Sequence, residues 1–198
     1  MPSNPLLVVI SGLSGAGKDT VVKELRRRGR SIHFVVTATD RVPRAGEING
    51  RDYIFVSTGE FERMIAEDEL LEHAVVYNQY KGVPKSQVRQ AMESGKDVIM
   101  RVDVQGAATI RQKCPDAVLI FLVTEDETTL LRRLQARRTE TAESLQLRLE
   151  TARQEMGRQS EFDYLVVNPE GQLAQAVDVV EAIITAEHHR THQRKVTL

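Results

Sequence analysis

The sequence has 198 residues, a length that suits one compact domain or one domain with small insertions. Twenty-seven Lys and Arg against 28 Asp and Glu leave a formal charge of −1, which excludes a globally basic nucleic-acid-binding surface but not local basic pockets. With 41 % hydrophobic and 28 % charged residues the chain can bury a sizeable core, so disorder is not its default.

The opening, MPSNPLLVVISG, has no basic n-region, and its apolar run at residues 6–10 is too short for a signal peptide or a membrane span. A cytoplasmic protein with no membrane partner is expected. That run is the first of five; the others lie at 32–36, 98–104 (broken by polar residues), 117–123 and 164–167. All are short, rich in Val and Ile and bounded by turn residues, as strands buried on both faces are. Helical patterns separate them. Val21, Val22 and Leu25 mark a face over residues 18–28, Leu130, Leu131 and Leu134 mark another, and Ala176, Val177, Val180 and Ile184 form a stripe over 173–186. The alternation predicts a parallel sheet covered by helices on both sides. Residues 41–94 break it with Pro43, Gly46, Gly50, a short strand at 53–56, a helix opened by Ser57 or Thr58 and a strand at 73–77, which together read as an inserted α+β lobe. Cys114, the single cysteine, precludes an intrachain disulfide or a cysteine zinc cluster and reads as inert. Arg26, Arg27, Arg28 and Arg30 read as a solvated helix end, and the tail after Glu187, with three of the five histidines, as a solvated polar segment.

Directly after the first strand stands Gly12-Leu13-Ser14-Gly15-Ala16-Gly17-Lys18-Asp19, and then a helix. This is a GxxxxGK phosphate loop in the context it requires. The glycines let backbone N–H groups turn inward around phosphate oxygens, the helix N-terminus adds its positive end, and Lys18 reaches the β- and γ-phosphates. Asp19 occupies the place of the usual magnesium-binding hydroxyl. A carboxylate is also a hard-cation ligand, so Asp19 is a candidate for Mg²⁺, while Thr20 falls one residue late and points elsewhere on the helix.

Downstream, Arg41-Val42-Pro43-Arg44 followed by Gly46-Glu47, Gly50 and Asp52-Tyr53-Ile54-Phe55 sets two arginines around a rigid proline with a phenol nearby, a donor set for a monoester phosphate. With the phosphate loop upstream, this resembles the guanylate kinases, P-loop enzymes that phosphorylate GMP with ATP. Their pattern R-x-P-R-x-G-E-x-x-G-x-D-Y-x-F is matched at every specified position, within a likeness running from about residue 6 to residue 187. The resemblance implies that Arg41, Arg44 and Tyr53 hold the GMP phosphate, that Glu72 accepts from guanine N1–H and N2–H₂, where adenine presents an unprotonated N1, and that Thr37 offers a hydroxyl near the base. The family's N-Y-Y-G-[ST] reads Gln79-Tyr80-Lys81-Gly82-Val83 here: Lys81 can still donate to phosphate, but Val83 supplies no hydroxyl to the base. Its D-x-D-x-Q-G reads Arg101-Val102-Asp103-Val104-Gln105-Gly106, leaving Asp103 as a contact to substrate or to a magnesium-bound water and Arg101 without a role. As residues 101 and 103 of one strand they would share a side, where an Arg–Asp pair or an arginine facing phosphate is plausible. The lid pattern R-L-x-x-R-x-T-E-[TS]…R places Arg133, Arg137 and Arg148 over the phosphates, with Arg138 where glycine is usual, and Asn168 matches a position near the ATP base.

The fold implied is a three-layer α/β P-loop kinase with a parallel sheet. Its core spans 6–36, 95–136 and 149–187, its GMP lobe 37–94, its mobile lid 137–148 and its tail 188–198. The reaction implied is Mg²⁺-dependent transfer from ATP to GMP by a monomer or homodimer, with no nucleic-acid partner. Two other readings are weighed. A ribose 1,5-bisphosphate phosphokinase would share the GKD loop, but the full Arg41-to-Phe55 set and Glu72 favour GMP. A non-catalytic guanylate kinase-like interaction module would have a degraded phosphate loop, whereas Lys18 is intact.

Overall fold

The computed structural model describes residues 4–44, 46–76, 78–135 and 142–198. In chain order the elements are β1 (Leu7–Gly12), α1 (Lys18–Arg27), β2 (Ile32–Phe34), β3 (Ala38–Thr39), β4 (Ile54–Phe55), α2 (Thr58–Ala66), β5 (Leu70–Val76), β6 (Gln79–Pro84), α3 (Lys85–Glu93), β7 (Asp97–Arg101), α4 (Val104–Lys113), β8 (Val118–Val123), α5 (Glu127–Gln135), α6 (Ala142–Met156), β9 (Tyr164–Val167) and α7 (Leu173–His188).

Strands β2-β7-β1-β8-β9 form one sheet, parallel at every pairing. Its centre is apolar on both faces because successive side chains alternate. From β1, Val8 and Ile10 join Val21 and Leu25 of α1, Leu130 and Leu134 of α5 and Val177, Val180 and Ile184 of α7 in one core. Leu7 and Val9 join Val88 of α3 and Ala107 and Ile110 of α4 in the other. The three-layer α/β fold expected from the alternation of strand and helix is present.

The inserted lobe is a second, mixed sheet in the order β4-β3-β6-β5, with α2 packing Phe61 and Met64 against Ala38 and Leu70. Ser57 accepts from Glu60 N at 3.1 Å and so starts α2 at one of the two residues expected. Strands β3 and β6 and helix α3 are additions to the sequence reading.

Three expectations need correction. The apolar run 98–104 is not one strand: β7 stops at Arg101, and Asp103 is the N-cap of α4, its carboxylate accepting from Gly106 N at 2.7 Å. Arg101 and Asp103 therefore do not project side by side from a strand. The basic end of α1 is not simply solvated, since Arg28 donates to Asp178 at 2.6 Å and Glu181 at 2.7 Å and ties α1 to α7. The tail packs on the body. Glu187, 1 % exposed, accepts from Tyr164 OH at 2.6 Å and Arg194 Nε at 2.7 Å; Arg194 also donates to Ala117 O, and Val196 packs against the second core.

Burial alone would raise the Glu187 carboxyl, but the hydrogen bonds from Arg194 and Tyr164 outweigh it and hold it at about 2. Removing one partner of a buried ion pair strands the other. Arg194→Ala is therefore expected to destabilise by about 3 kcal/mol at pH 7, roughly 6–12 °C in Tm. A depressed carboxyl stabilises fully above its unfolded value of 4.5 and loses that effect as pH falls toward about 2. Melts across that window should show the gap between variant and wild type closing.

Candidate active site

The phosphate loop is set by the end of β1. Gly12 has φ +126°, and a Cβ there would lie 2.0 Å from Leu122 O on β8, so only glycine fits. The chain then turns, Leu13 N donating to Leu122 O at 3.1 Å. Gly17, at φ +91°, caps α1 without any side-chain hydrogen bond, leaving the helix N-terminus bare for an anion. Lys18 curls inward and donates to Gly12 O at 2.6 Å and Leu13 O at 3.0 Å; burial pushes its ammonium below the ordinary lysine value. Asn168, expected near the adenine, is buried and gives its side-chain amide to Ala16 O at 2.8 Å, which braces the loop from outside. Arg133 donates to Asn168 O at 3.0 Å and Ala16 O at 3.4 Å, and Arg148 to Ser14 Oγ at 3.2 Å. Both lid arginines expected there thus stand against the loop, whereas Arg137 lies outside the described residues. Thr20 is exposed on α1. Glu155 of α6 was not read from the sequence; it accepts from Ser14 N at 3.2 Å, and burial raises its carboxyl.

Facing the loop is the inserted lobe. Arg41, with a side chain only 8 % exposed, forms a fork with Glu47 at 2.7 and 2.8 Å and lies over the rings of Tyr53 and Phe55 at 5.0 and 5.4 Å. Glu47 also accepts from Arg44 N at 2.7 Å. It therefore shapes the turn that carries both arginines, a job hidden in the motif until the geometry shows it. Arg44 itself is exposed. Lys81 of β6 is half-buried, and its ammonium is lowered by burial first and then by Arg101 and Arg41. Arg101, unassigned in the sequence, joins the two halves: it pairs with Asp19 of α1 and donates to Tyr53 OH at 3.2 Å.

Deeper in the lobe, Glu72 is 4 % exposed. Its register partner across the β5–β6 ladder is Val83, fully buried, and opposed residues of an antiparallel pair share a face. A Cβ on Gly106 would approach Glu72 Oε2 to 2.7 Å, so the glycine leaves the carboxylate its room. No hydrogen bond reaches that carboxylate from the described residues. Burial, reinforced by Asp103 and opposed by Lys113, pushes its pKa up to about 8. Thr37 is half-buried beside β4, its carbonyl accepting from Ile54 N at 2.9 Å.

A phosphate loop whose neighbouring lobe holds an arginine–tyrosine cluster and a buried acceptor is a two-substrate site. The family model described as guanylate kinase matches residues 4–187. The chain belongs to the guanylate kinase family. It is 50 % identical over 198 residues to a rice (Oryza sativa subsp. japonica) protein named guanylate kinase 2, chloroplastic/mitochondrial, covering 100 % of this chain and 70 % of that one. To a guanylate kinase of Halalkalibacterium halodurans it is 43 % identical over 183 residues, covering 92 % and 89 %. A solved guanylate kinase from Anaplasma phagocytophilum has a TM-score of 0.78 at 28 % identity, covering 96 % of this chain and 89 % of that one. Among the guanylate kinase motif residues, the structure brings Arg41, Tyr53 and Lys81 together and sets Glu72 of the lobe near Asp103, the cap of α4. It adds Glu47, Glu155 and Arg101, whose signal in sequence was at most a charged residue at a motif position.

The Glu72 environment has a consequence for stability. Below its unfolded value of 4.5 the carboxyl is neutral in both states, and between 4.5 and about 8 only the unfolded chain ionises. Stability therefore falls with rising pH in that window and levels off above it. Glu72→Gln should abolish the slope. Denaturant titrations at pH 5, 6.5 and 8 should show the variant gaining on wild type at each step, by a total on the order of a few kcal/mol.

Proposed function

We propose that this chain transfers the γ-phosphoryl group of Mg·ATP to GMP, giving ADP and GDP. The observation that carries the reading is Glu72: a buried carboxylate with no hydrogen-bond donor among the described residues, in the lobe whose arginine–tyrosine cluster adjoins the loop. Guanine offers N1–H and N2–H₂ side by side to such an acceptor. A ribose bisphosphate can offer its 2,3-diol to a carboxylate but no flat base with an adjacent N–H pair, and a non-catalytic interaction module has no use for an intact Lys18.

In this reading the loop Gly12, Leu13, Ser14, Gly15, Ala16, Gly17 and Lys18 wraps the ATP phosphates, which meet the N–H groups not bonded within the fold, that of Ser14 once Glu155 yields, and the Lys18 ammonium, which exchanges its loop carbonyls for phosphate oxygens. Asn168 and Arg133 hold the loop's shape. Arg41, Arg44, Tyr53 and Lys81 seat the GMP phosphate, Glu47 aims Arg41, and Thr37 lies toward the base. No protein nucleophile is needed, since an oxygen of GMP attacks the γ-phosphorus as the bond to the β–γ bridging oxygen breaks and ADP departs. The protein supplies position and charge neutralisation, with Arg133, Arg148 and Arg137 completing the cationic shell when the lid closes. Closure also keeps water from the γ-phosphate.

Magnesium belongs here to the donor substrate. Among the described residues no three or more His, Cys, Asp or Glu come together to hold an ion. Of the carboxylates offered for it, Asp103 caps α4 through one oxygen, which leaves the other for a magnesium-bound water, and Asp19 is paired with Arg101. No helix among the described residues is long and apolar enough to cross a membrane, and a cytoplasmic setting stays part of the proposal.

ADP formation from Mg·ATP should be measured with GMP, dGMP, AMP, CMP, UMP, IMP and ribose 1,5-bisphosphate. GMP is expected to dominate, IMP to fall behind for want of the N2 amine, and AMP to stay at background; Glu72→Gln should lower kcat/KM for GMP by about 100-fold. Turnover of the sugar bisphosphate with GMP inert would overturn the reading. A second check uses the raised Glu72 pKa. The carboxyl is protonated below about 8 and must ionise to accept guanine, so binding releases a proton. Calorimetry at pH 7 in buffers of different ionisation enthalpy should show close to one proton released per GMP, and none with Glu72→Gln.

A further inference from the structure

Arg101 is the one strongly placed cation of the site for which the motif gives no role; the family pattern has an acid there. It ends β7, in register with Ile10 of β1, and β1 enters the phosphate loop two residues later. Arg101 therefore stands at the carboxyl end of the parallel sheet, where open α/β sheets bind their ligands. One guanidinium nitrogen pairs with Asp19 in the first turn of α1; another donates to Tyr53 OH at 3.2 Å, with the guanidinium 5.9 Å from the centre of the Tyr53 ring. One side chain thus touches the donor half and the acceptor half together. Its charge is felt on both sides, since after burial Arg101 helps to lower the ammonium of Lys18 in the loop and of Lys81 in the lobe.

We propose that Arg101 is a further phosphate-binding residue of this enzyme, reaching the phosphoryl group that passes between the two sites, and that Asp19 is its resting counterion rather than a metal ligand. The inference rests on the ATP and GMP reading. Asp19 is well suited to yield: its side chain is 61 % exposed, and the pair with Arg101 is its one side-chain hydrogen bond or ion pair among the described residues, Lys18 and Lys81 acting on it only through their charge. An exposed ion pair contributes little, so a phosphoryl group carrying more charge displaces it readily. The planar guanidinium fork matches a phosphoryl group edge to edge, which a point-charge lysine does not. During transfer the GMP oxygen gains the bond to phosphorus, and the β–γ bridging oxygen leaves with ADP and takes the bonding pair. Arg101 gains and loses no atom. It balances charge on the equatorial oxygens while Tyr53 stays aligned.

The rival explanation is that Arg101 serves only to neutralise Asp19. The two differ in a binding measurement with a bisubstrate probe, adenosine and guanosine joined through five phosphates, which spans both halves. Arg101→Gln is expected to weaken that probe by roughly 30-fold, to change ADP and GMP affinity alone by under about 3-fold, and to lower kcat by about 100-fold with KM for GMP nearly unchanged. Arg101→Lys should fall between. Asp19→Asn should bind the probe as well as wild type or better, and Asp19→Asn with Arg101→Gln should stay as weak as Arg101→Gln alone. Recovery in the double variant, or an unchanged probe affinity in Arg101→Gln, would overturn the proposal. Failure of the wild-type protein to bind the probe at all would overturn the two-nucleotide reading beneath it.

Discussion

The close approach of β1 to β8 at Gly12 is the contact on which the site depends. With no side chain in the way, the Leu122 backbone presses against the end of β1, and Leu13 N–H closes the turn onto Leu122 O. Strand β8 then carries β9 beside it, and Asn168, just past β9, keeps its backbone N–H on Val123 O while its side chain reaches Ala16 O. Arg133 reaches the same carbonyl, and Lys18 holds the carbonyls of Gly12 and Leu13. With those carbonyls claimed, and with the Leu13, Ser14 and Ala16 N–H groups donating to Leu122 O, Glu155 and Leu13 O, the remaining loop N–H groups and, once Glu155 yields, that of Ser14 are left for an anion. The nest is built by satisfying its acceptors elsewhere, as buried backbone groups require.

The inserted lobe solves a different problem, holding a carboxylate dry, as the proposed recognition of a base requires. Val83 and the close-packed Gly106 face deny Glu72 water, and no described donor compensates. Such a group weakens the fold above its unfolded pKa, and a protein keeps one where a ligand supplies the missing donors. A hydroxyl in place of Val83 would give the carboxylate a protein partner. Its absence here leaves recognition to rest more fully on the ligand's own N–H groups.

Most of this was legible in the sequence where pattern and local chemistry agree. Short Val- and Ile-rich runs can only be buried strands when helices alternate with them, and β9 was read to the residue. The phosphate loop and the arginine turn carried their own signatures. The run from residue 98 to 104 misled because its apolar residues continue from a strand into a helix: Val102 and Val104 are buried just as Val98 and Met100 are, and only the Asp103 cap marks the break. Strand β6 was hidden by Lys81, Gly82 and Pro84, which carry no strand pattern but are fixed by pairing with β3 and β5. The tail and the Arg28 contacts were invisible for a simpler reason. A polar residue's partner 77 or 150 positions away leaves no local trace, and Arg194 to Ala117 O and Arg28 to Asp178 are such pairs.

A common logic links three carboxylates that stand beside the cations of the site. Lys18, Arg41, Lys81 and Arg101 stand near one another, each a phosphate ligand in the proposed reading, and without phosphate they repel one another. The protein answers with its own anions, but they are not alike. Glu47 is anchored by Arg44 N as well as by the Arg41 fork, so it stays in place and aims the guanidinium while leaving donors on its other edge. Asp19 is exposed and holds Arg101 alone, so an arriving phosphoryl group competes with it on favourable terms. Glu155 sits between these cases: it borrows the Ser14 N–H of the loop, yet its burial favours the protonated form, which weakens its hold on a site made for a stronger anion. The ligand-free site is therefore stable without being self-satisfied, and the order in which its carboxylates yield follows from how many other partners each one has.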